Sequence, residues 1–250
     1  MSGKHALNPI VNYLLNLTAF PCSPMRIKAI FSDLADLVFP DPCAGCNRPL
    51  ATGEEYLCSN CVVSLPVFSP QENLLNRFAG RLRLQEARAY LKFYHGGIAQ
   101  RLLHHIKYKN HTGLAVYLGK MLAMRLQATH ALAGIEVVVP VPLHKSKLRL
   151  RGYNQSTYLA EGIAAVLAAE LNPATVKRQK KSSSQTKKDR AERWQNVHGI
   201  FAVAGNGLKD KQVLLVDDVI TTGATLEACG ETLLAAGVAS LSVAALAAAM

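Results

Sequence analysis

The sequence predicts an α/β fold: a parallel sheet flanked by helices, preceded by a small N-terminal module built on four cysteines. Three observations carry this. Short apolar runs such as Glu136–Val141 and Val213–Val216 read as buried parallel strands. Segments with helical spacing separate these runs, and strand–helix alternation is the signature of a parallel sheet with right-handed crossovers. Four cysteines, Cys43, Cys46, Cys58 and Cys61, fall in the pattern C-x2-C-x11-C-x2-C.

The chain has 250 residues, half of them hydrophobic, which is enough for one large domain with a small appendage. The expected divisions are a poorly ordered extension over 1–26, a helix plus cysteine ribbon over 27–66, and the α/β domain over 87–250. The formal net charge is +11 and the pI about 9.5, which favours anionic partners. The excess is local. From His144 to His198 twelve Lys and Arg face only four acids.

In chain order, Ile10–Phe20 is too short and too interrupted by Asn12 and Asn16 for a membrane span. Phe20-Pro21 before Cys22 is a poor cleavage context for an export signal. We therefore expect a cytoplasmic protein, with Met25 as a second candidate start. Ile27–Val38 has helical spacing and ends at Pro40 and Pro42. Cys43, Cys46, Cys58 and Cys61 form two knuckles, each presenting two thiolates to one ion. Zinc is the expected metal for four thiolates, in a closed structural site. Two disulfides would need an oxidising compartment.

Residues 64–86 read as a linker, Ala87–Tyr94 as a strand, and Ile98–Tyr108 and Leu114–Gln127 as helices. His104 and His105 are assigned to a solvated helix face. After the strand Glu136–Val141 comes a basic loop with Lys145, Lys147, Arg149 and Arg151, then a helix over about Ser156–Leu171. Val176–Gln195 is rich in Lys, Arg and Ser and poor in apolar residues, so it is expected to be mobile. Ile200–Val203 and Val238–Ala248 are strands.

The densest functional signal is Val213–Thr225, VLLVDDVITTGAT. A strand is followed by Asp217 and Asp218, a polar turn, and a helix from about Leu226 to Ala236 that stops at Gly237. Ligands of open α/β sheets bind at the carboxyl ends of strands. Thr221, Thr222, Gly223, Ala224 and Thr225 offer hydroxyls and backbone N–H groups at a helix start, which suits a phosphate. The acid pair suits sugar hydroxyls, which donate to carboxylates, and a group that carries Mg²⁺.

That stretch resembles the 5-phosphoribosyl-1-diphosphate (PRPP) signature of type I phosphoribosyltransferases. The resemblance implies that Asp217 and Asp218 hold the ribose hydroxyls and that Thr221–Thr225 wrap the 5′-phosphate. It makes Lys145, Lys147, Arg149 and Arg151 candidates for the pyrophosphate loop, and the mobile basic stretch a hood over the ligand. The cofactors implied are structural Zn²⁺, and Mg²⁺ with PRPP.

Over about residues 30–248 the order of motifs is similar to the ComF family, the competence-protein-F group. The match rests on the four cysteines, Tyr94-His-Gly96 with Lys107, Pro140-Val-Pro142, Arg151-Gly-Tyr-Asn-Gln155, Arg178 to Ser182 with Gln185, Arg193 with Asn196-Val197 and Phe201, and Asp217–Thr225. Ser182 stands where members often have Thr. The resemblance implies a PRPP-binding protein that handles single-stranded DNA in natural transformation, with competence helicases or DNA-processing proteins as partners and no membrane span. It also implies a pentosyl transferase, without naming the acceptor. Trp194 and Tyr153 are candidate stacking residues. Two alternatives stand beside this reading: a nucleobase-salvage phosphoribosyltransferase and a non-catalytic PRPP-sensing regulator.

Overall fold

The computed structural model describes residues 41–179 and 200–250. The expected extension, the helix Ile27–Val38 and the basic stretch from 180 to 195 lie outside the described residues.

The cysteine module holds a short helix, α1 (Ser59–Val63). Then follow β1 (Ala87–Phe93), α2 (Ile98–Tyr108), α3 (Thr112–Gln127), β2 (Val137–Pro140), α4 (Lys145–Arg151) and α5 (Gln155–Leu167). The rest of the order is β3 (Glu170–Leu171), β4 (Val176–Arg178), β5 (Phe201–Val203), β6 (Gln212–Ile220), α6 (Ala224–Ala235) and β7 (Ser240–Ala249). Strands β1, β7, β6, β2 and β3 lie side by side in that order, every pair parallel. β4 and β5 form a separate antiparallel pair.

The sheet is buried on both faces, so the middle stretches of its strands, such as Val137–Pro140 and Val213–Val216, are apolar. Period-two alternation divides them between two cores. Leu214 and Val216 pack with Leu102, Leu118, Leu159 and Ile163 of α2, α3 and α5. Val213 and Leu215 pack with Leu226, Cys229 and Leu233 of α6 on the other face. The helix after β2 thus covers one face and the helix after β6 the other. β2 and β6 are neighbours, so the connections reverse between them. That reversal is where open α/β sheets form their ligand crevice.

α3 and α5 approach closely enough to touch backbones. A Cβ on Gly162 would lie 2.1 Å from the Val116 carbonyl oxygen, and one on Gly119 would lie 2.3 Å from that of Leu159. Glycine is required at both positions by space.

Five sequence expectations change. The basic loop after β2 is a helix, α4, because the His144 side chain accepts from the Ser146 N–H and Gly152, at φ 79°, closes the other end. The central strand does not stop at Val216. Its ladder with β7 continues through Asp217↔Ala245 to Ile220↔Ala248, so the acid pair lies within β6. The helix expected to reach Leu171 ends at Leu167, with Ala168 left-handed at φ 53°, and Glu170–Leu171 joins the sheet edge. Val176–Arg178, expected in the mobile basic stretch, pairs with Phe201–Val203. Residues 64–86 are more than a linker: Phe68, Leu74, Phe78 and Leu82 are buried against the α6 face. Arg88, 7% exposed, pins this segment by donating to the carbonyls of Pro70 and Glu72 while its Nε meets Glu86.

Candidate functional site

The site is built on the last turns of β6. Asp217 Oδ1 accepts from Ser156 Oγ at 3.1 Å and from the Asp218 N–H at 2.8 Å. Asp218 Oδ2 meets Lys107 Nζ of α2 at 2.9 Å and accepts from Gln155 Nε2 of α5 at 2.7 Å. In these contacts among the described residues each carboxylate uses one oxygen. Burial, with Asp218 beside it, pushes Asp217 up to about 7, against the lowering effect of the Asp218 N–H and Ser156.

The supporting residues come from the start of α5, which β2 delivers to the crevice. Asn154 caps α5 by accepting from the Ser156 N–H, and its Nδ2 donates to the Val141 carbonyl at 3.0 Å. That cap aims Gln155 and Ser156 at the two acids. Arg151 donates to Gln155 Oε1 at 2.8 Å, so a chain of polar contacts runs from Arg151 through Gln155 to Asp218 and Lys107. Tyr153 donates to the Ile106 carbonyl and ties this corner to α2.

Thr221, Thr222, Gly223, Ala224 and Thr225 follow β6 and line a polar hollow of about 30 Å3 together with Asp217. Gly223 is left-handed at φ 83° and caps α6. A Cβ there would lie 2.8 Å from the buried ring of Phe78, so the tight turn needs glycine on two grounds. Thr221, Thr222 and Ala224 are exposed. The start of α6 supplies backbone N–H groups beside this hollow.

Of the four basic candidates after β2, Arg151 joins the acid-pair network. Lys145, Lys147 and Arg149 are exposed on α4. Lys107, Gln155 and Ser156 are site residues that sequence reasoning did not assign to the acids. Trp194 lies outside the described residues. Of the histidines placed on a solvated face, His104 is exposed, whereas His105 is half-buried.

The second site is the cysteine cluster. The sulfurs of Cys43, Cys46, Cys58 and Cys61 all lie within 4.8 Å of one another, and Cys46 and Cys58 are 3.7 Å apart. Four thiolates around one ion at a metal–sulfur distance near 2.3 Å would stand about 3.8 Å apart, so the donor set fits a tetrahedral metal. The N–H groups of Gly45 and Cys58 point at Cys43 Sγ, at 3.4 and 3.2 Å. Burial raises the Cys43 thiol, but hydrogen bonds from the N–H groups of Cys58, Cys46 and Gly45 and from the Cys61 thiol outweigh it and bring it down to about 7. Burial pushes Cys61 up. The residues can hold a metal ion, and all four positions are filled by protein.

Among the described residues no helix is long and apolar enough to cross a membrane. A family model for the phosphoribosyl transferase domain matches residues 154–250. The chain is 33% identical to competence protein F of Haemophilus influenzae over 147 residues, 57% of this chain and 64% of that protein. It is 25% identical to DNA utilization protein YhgH of Escherichia coli over 221 residues, 83% of this chain and 96% of that one. It is 35% identical to competence protein ComFC of Bacillus subtilis over 104 residues, 42% of this chain and 40% of that one. The matched domain contains both acids and the threonine turn, and it excludes the cysteine cluster and α2.

Proposed function

With the chain a homologue of the competence protein F group, carrying a phosphoribosyltransferase domain, we propose that it binds Mg²⁺–PRPP at the end of β6 and handles single-stranded DNA during DNA uptake. Asp217 and Asp218 take the ribose hydroxyls on their outward oxygens. Thr221–Thr225 hold the 5′-phosphate. Of the candidates Lys145, Lys147, Arg149 and Arg151, Arg151 stands at the acid pair and faces the pyrophosphate, Lys147 shares its side of α4, and Lys145 and Arg149 lie on the other side. Mg²⁺ travels with the ligand and offsets its charge. Zinc fills the four-cysteine cluster as a structural ion, within the ribbon of 27–66, and the 87–250 domain carries the PRPP site. The protein works on the cytoplasmic side, with a competence helicase or another DNA-processing protein as partner.

One observation carries the reading: an acid pair and a phosphate-type turn stand together at the reversal of the sheet connections. In transfer, the bond from the anomeric carbon to pyrophosphate breaks and one from that carbon to the acceptor forms. Negative charge grows on the departing pyrophosphate, and Arg151, held by Gln155, stabilises it. The Asp218 contacts to Lys107 and Gln155 hold the acid in place before ligand arrives, which limits reorganisation on binding.

Pyrophosphate release from Mg²⁺–PRPP, followed with and without single-stranded DNA, tests the proposal. Release that depends on DNA is the expected result. Release that depends on a free nucleobase would support the salvage reading. PRPP binding with no release under any acceptor would leave a sensor and remove the transferase.

A further inference from the structure

The exposed face of α2 continues away from the acid pair toward the cysteine cluster. Arg101, His104 and Tyr108 stand at positions i, i+3 and i+7 and so share one side of the helix. All three are exposed, as is Lys109. Between this side and the Ala44–Asn47 knuckle lies a cavity of about 600 Å3, lined also by His105 and Lys109, with no carboxylate among its lining residues. Arg101 Nε donates to the Gly45 carbonyl at 2.7 Å, which fixes helix and knuckle together.

A line of flat, π-faced groups leads out of this cavity. The rings of His104 and Tyr108 are 5.0 Å apart, and the Arg151 guanidinium lies 5.3 Å from the Tyr108 ring. Tyr108 is 62% exposed, so burial does not explain an aromatic there. Arg151 connects through Gln155 to Asp218. The cations are not all committed to the cysteine cluster. Backbone N–H groups already serve Cys43, and Arg101 donates to the carbonyls of Gly45 and Gly96. Among the described residues, Lys109 remains as a cation for a ligand, and the His104 ring offers an N–H beside it.

We propose that single-stranded nucleic acid binds along this side of α2, its phosphates on His104 and Lys109 and a base on Tyr108, so that the strand leads from the cysteine knuckle to the acid pair. A cationic groove with aromatic faces is the general design of sequence-tolerant strand binding. From Arg101 to Tyr108 the helix rises about 10 Å, room for a few nucleotides. The inference rests on the DNA-handling reading and names its surface; that surface ends at the PRPP site, and His104 and Lys109 lie outside the residues assigned to PRPP.

The test is fluorescence anisotropy with a labelled oligodeoxythymidine strand, comparing the parent with His104→Glu plus Lys109→Glu. The variant should bind at least about tenfold more weakly and with a shallower salt dependence, while its PRPP binding stays unchanged. A strand carrying 5-iododeoxyuridine should crosslink to Tyr108 in the parent, which decides the matter if the variant does not fold. If the parent binds the strand and the folded variant binds equally well, or the crosslink falls elsewhere, this surface is wrong and the DNA reading stands. If the parent binds no strand, the DNA reading falls and this site falls with it. Displacement of the strand by thymidine monophosphate at equal concentration would mark a mononucleotide site and overturn the strand.

Discussion

Asp217 and Asp218 are adjacent in sequence and unlike in surroundings. Asp218 has a cation at 2.9 Å. Asp217 has a hydroxyl, a backbone N–H and a neighbouring carboxylate, and the charges of Lys107 and Arg178 act on it without offsetting its burial. Burial therefore moves Asp217 from its ordinary 3.8 up to about 7. Between those two values the folded chain binds a proton that the unfolded chain has released. Stability from this group is then highest at low pH, falls as pH rises through the window, and levels off above it. Asp217→Asn removes the effect. Raising the pH from about 4 to about 8 should lower the melting temperature of the parent more than that of Asp217→Asn, by a few degrees. Thermal melts of both proteins at both pH values provide the comparison, and parallel falls would show that Asp217 does not carry the proton. Lys107 and Gln155 had no local signal in the sequence that tied them to Asp218. They come from two other helices, and only the fold brings them together.

At the level of elements, the clustering of Cys43, Cys46, Cys58 and Cys61 was legible from their spacing, because two knuckles and one ion determine a geometry with few alternatives. What spacing did not show is that the module shares a core with α2. Cys43, Leu57 and Cys61 pack in the same cluster as Ala99, Leu102 and Leu103. Metal and folding are coupled in such modules, and here the coupling should extend into the neighbouring helix. We expect zinc in reduced, folded protein by elemental analysis. Cys43→Ser should lower the zinc content and shift the main melting transition downward. A separate low-temperature transition with the main one unchanged, or folded protein without zinc, would contradict this. The basic segment after β2 was misread as a loop for an equally physical reason. A seven-residue helix has too few positions to show a period, and its two ends are set by His144 and Gly152, whose capping roles depend on backbone angles.

For the whole molecule, the two cores and the strand order determine where chemistry can occur. Apolar runs in the sequence identified β2, β6 and β7 because strands covered on both faces read as near-continuous hydrophobic stretches. Their neighbours could not be read in the same way, since β1–β7 and β6–β2 contacts join distant segments. Strand order then places the end of β2 beside the end of β6, and with it Arg151, Gln155 and Ser156 beside Asp217 and Asp218. The threonine turn was recognisable at once, but the need for Gly223 was only half visible. Its left-handed angle suits glycine, while the closeness of Phe78 depends on a segment read as a linker. The central claim is that this crevice binds PRPP through the acid pair. Titration calorimetry with Mg²⁺–PRPP on the parent and on folded Asp217→Asn plus Asp218→Asn tests it most directly. Each lost charge-assisted hydrogen bond is worth about 1.5–3 kcal/mol, so the parent should bind and the variant should be weaker by at least about tenfold. Equal affinity in the two proteins, or no binding by the parent, would contradict the assignment.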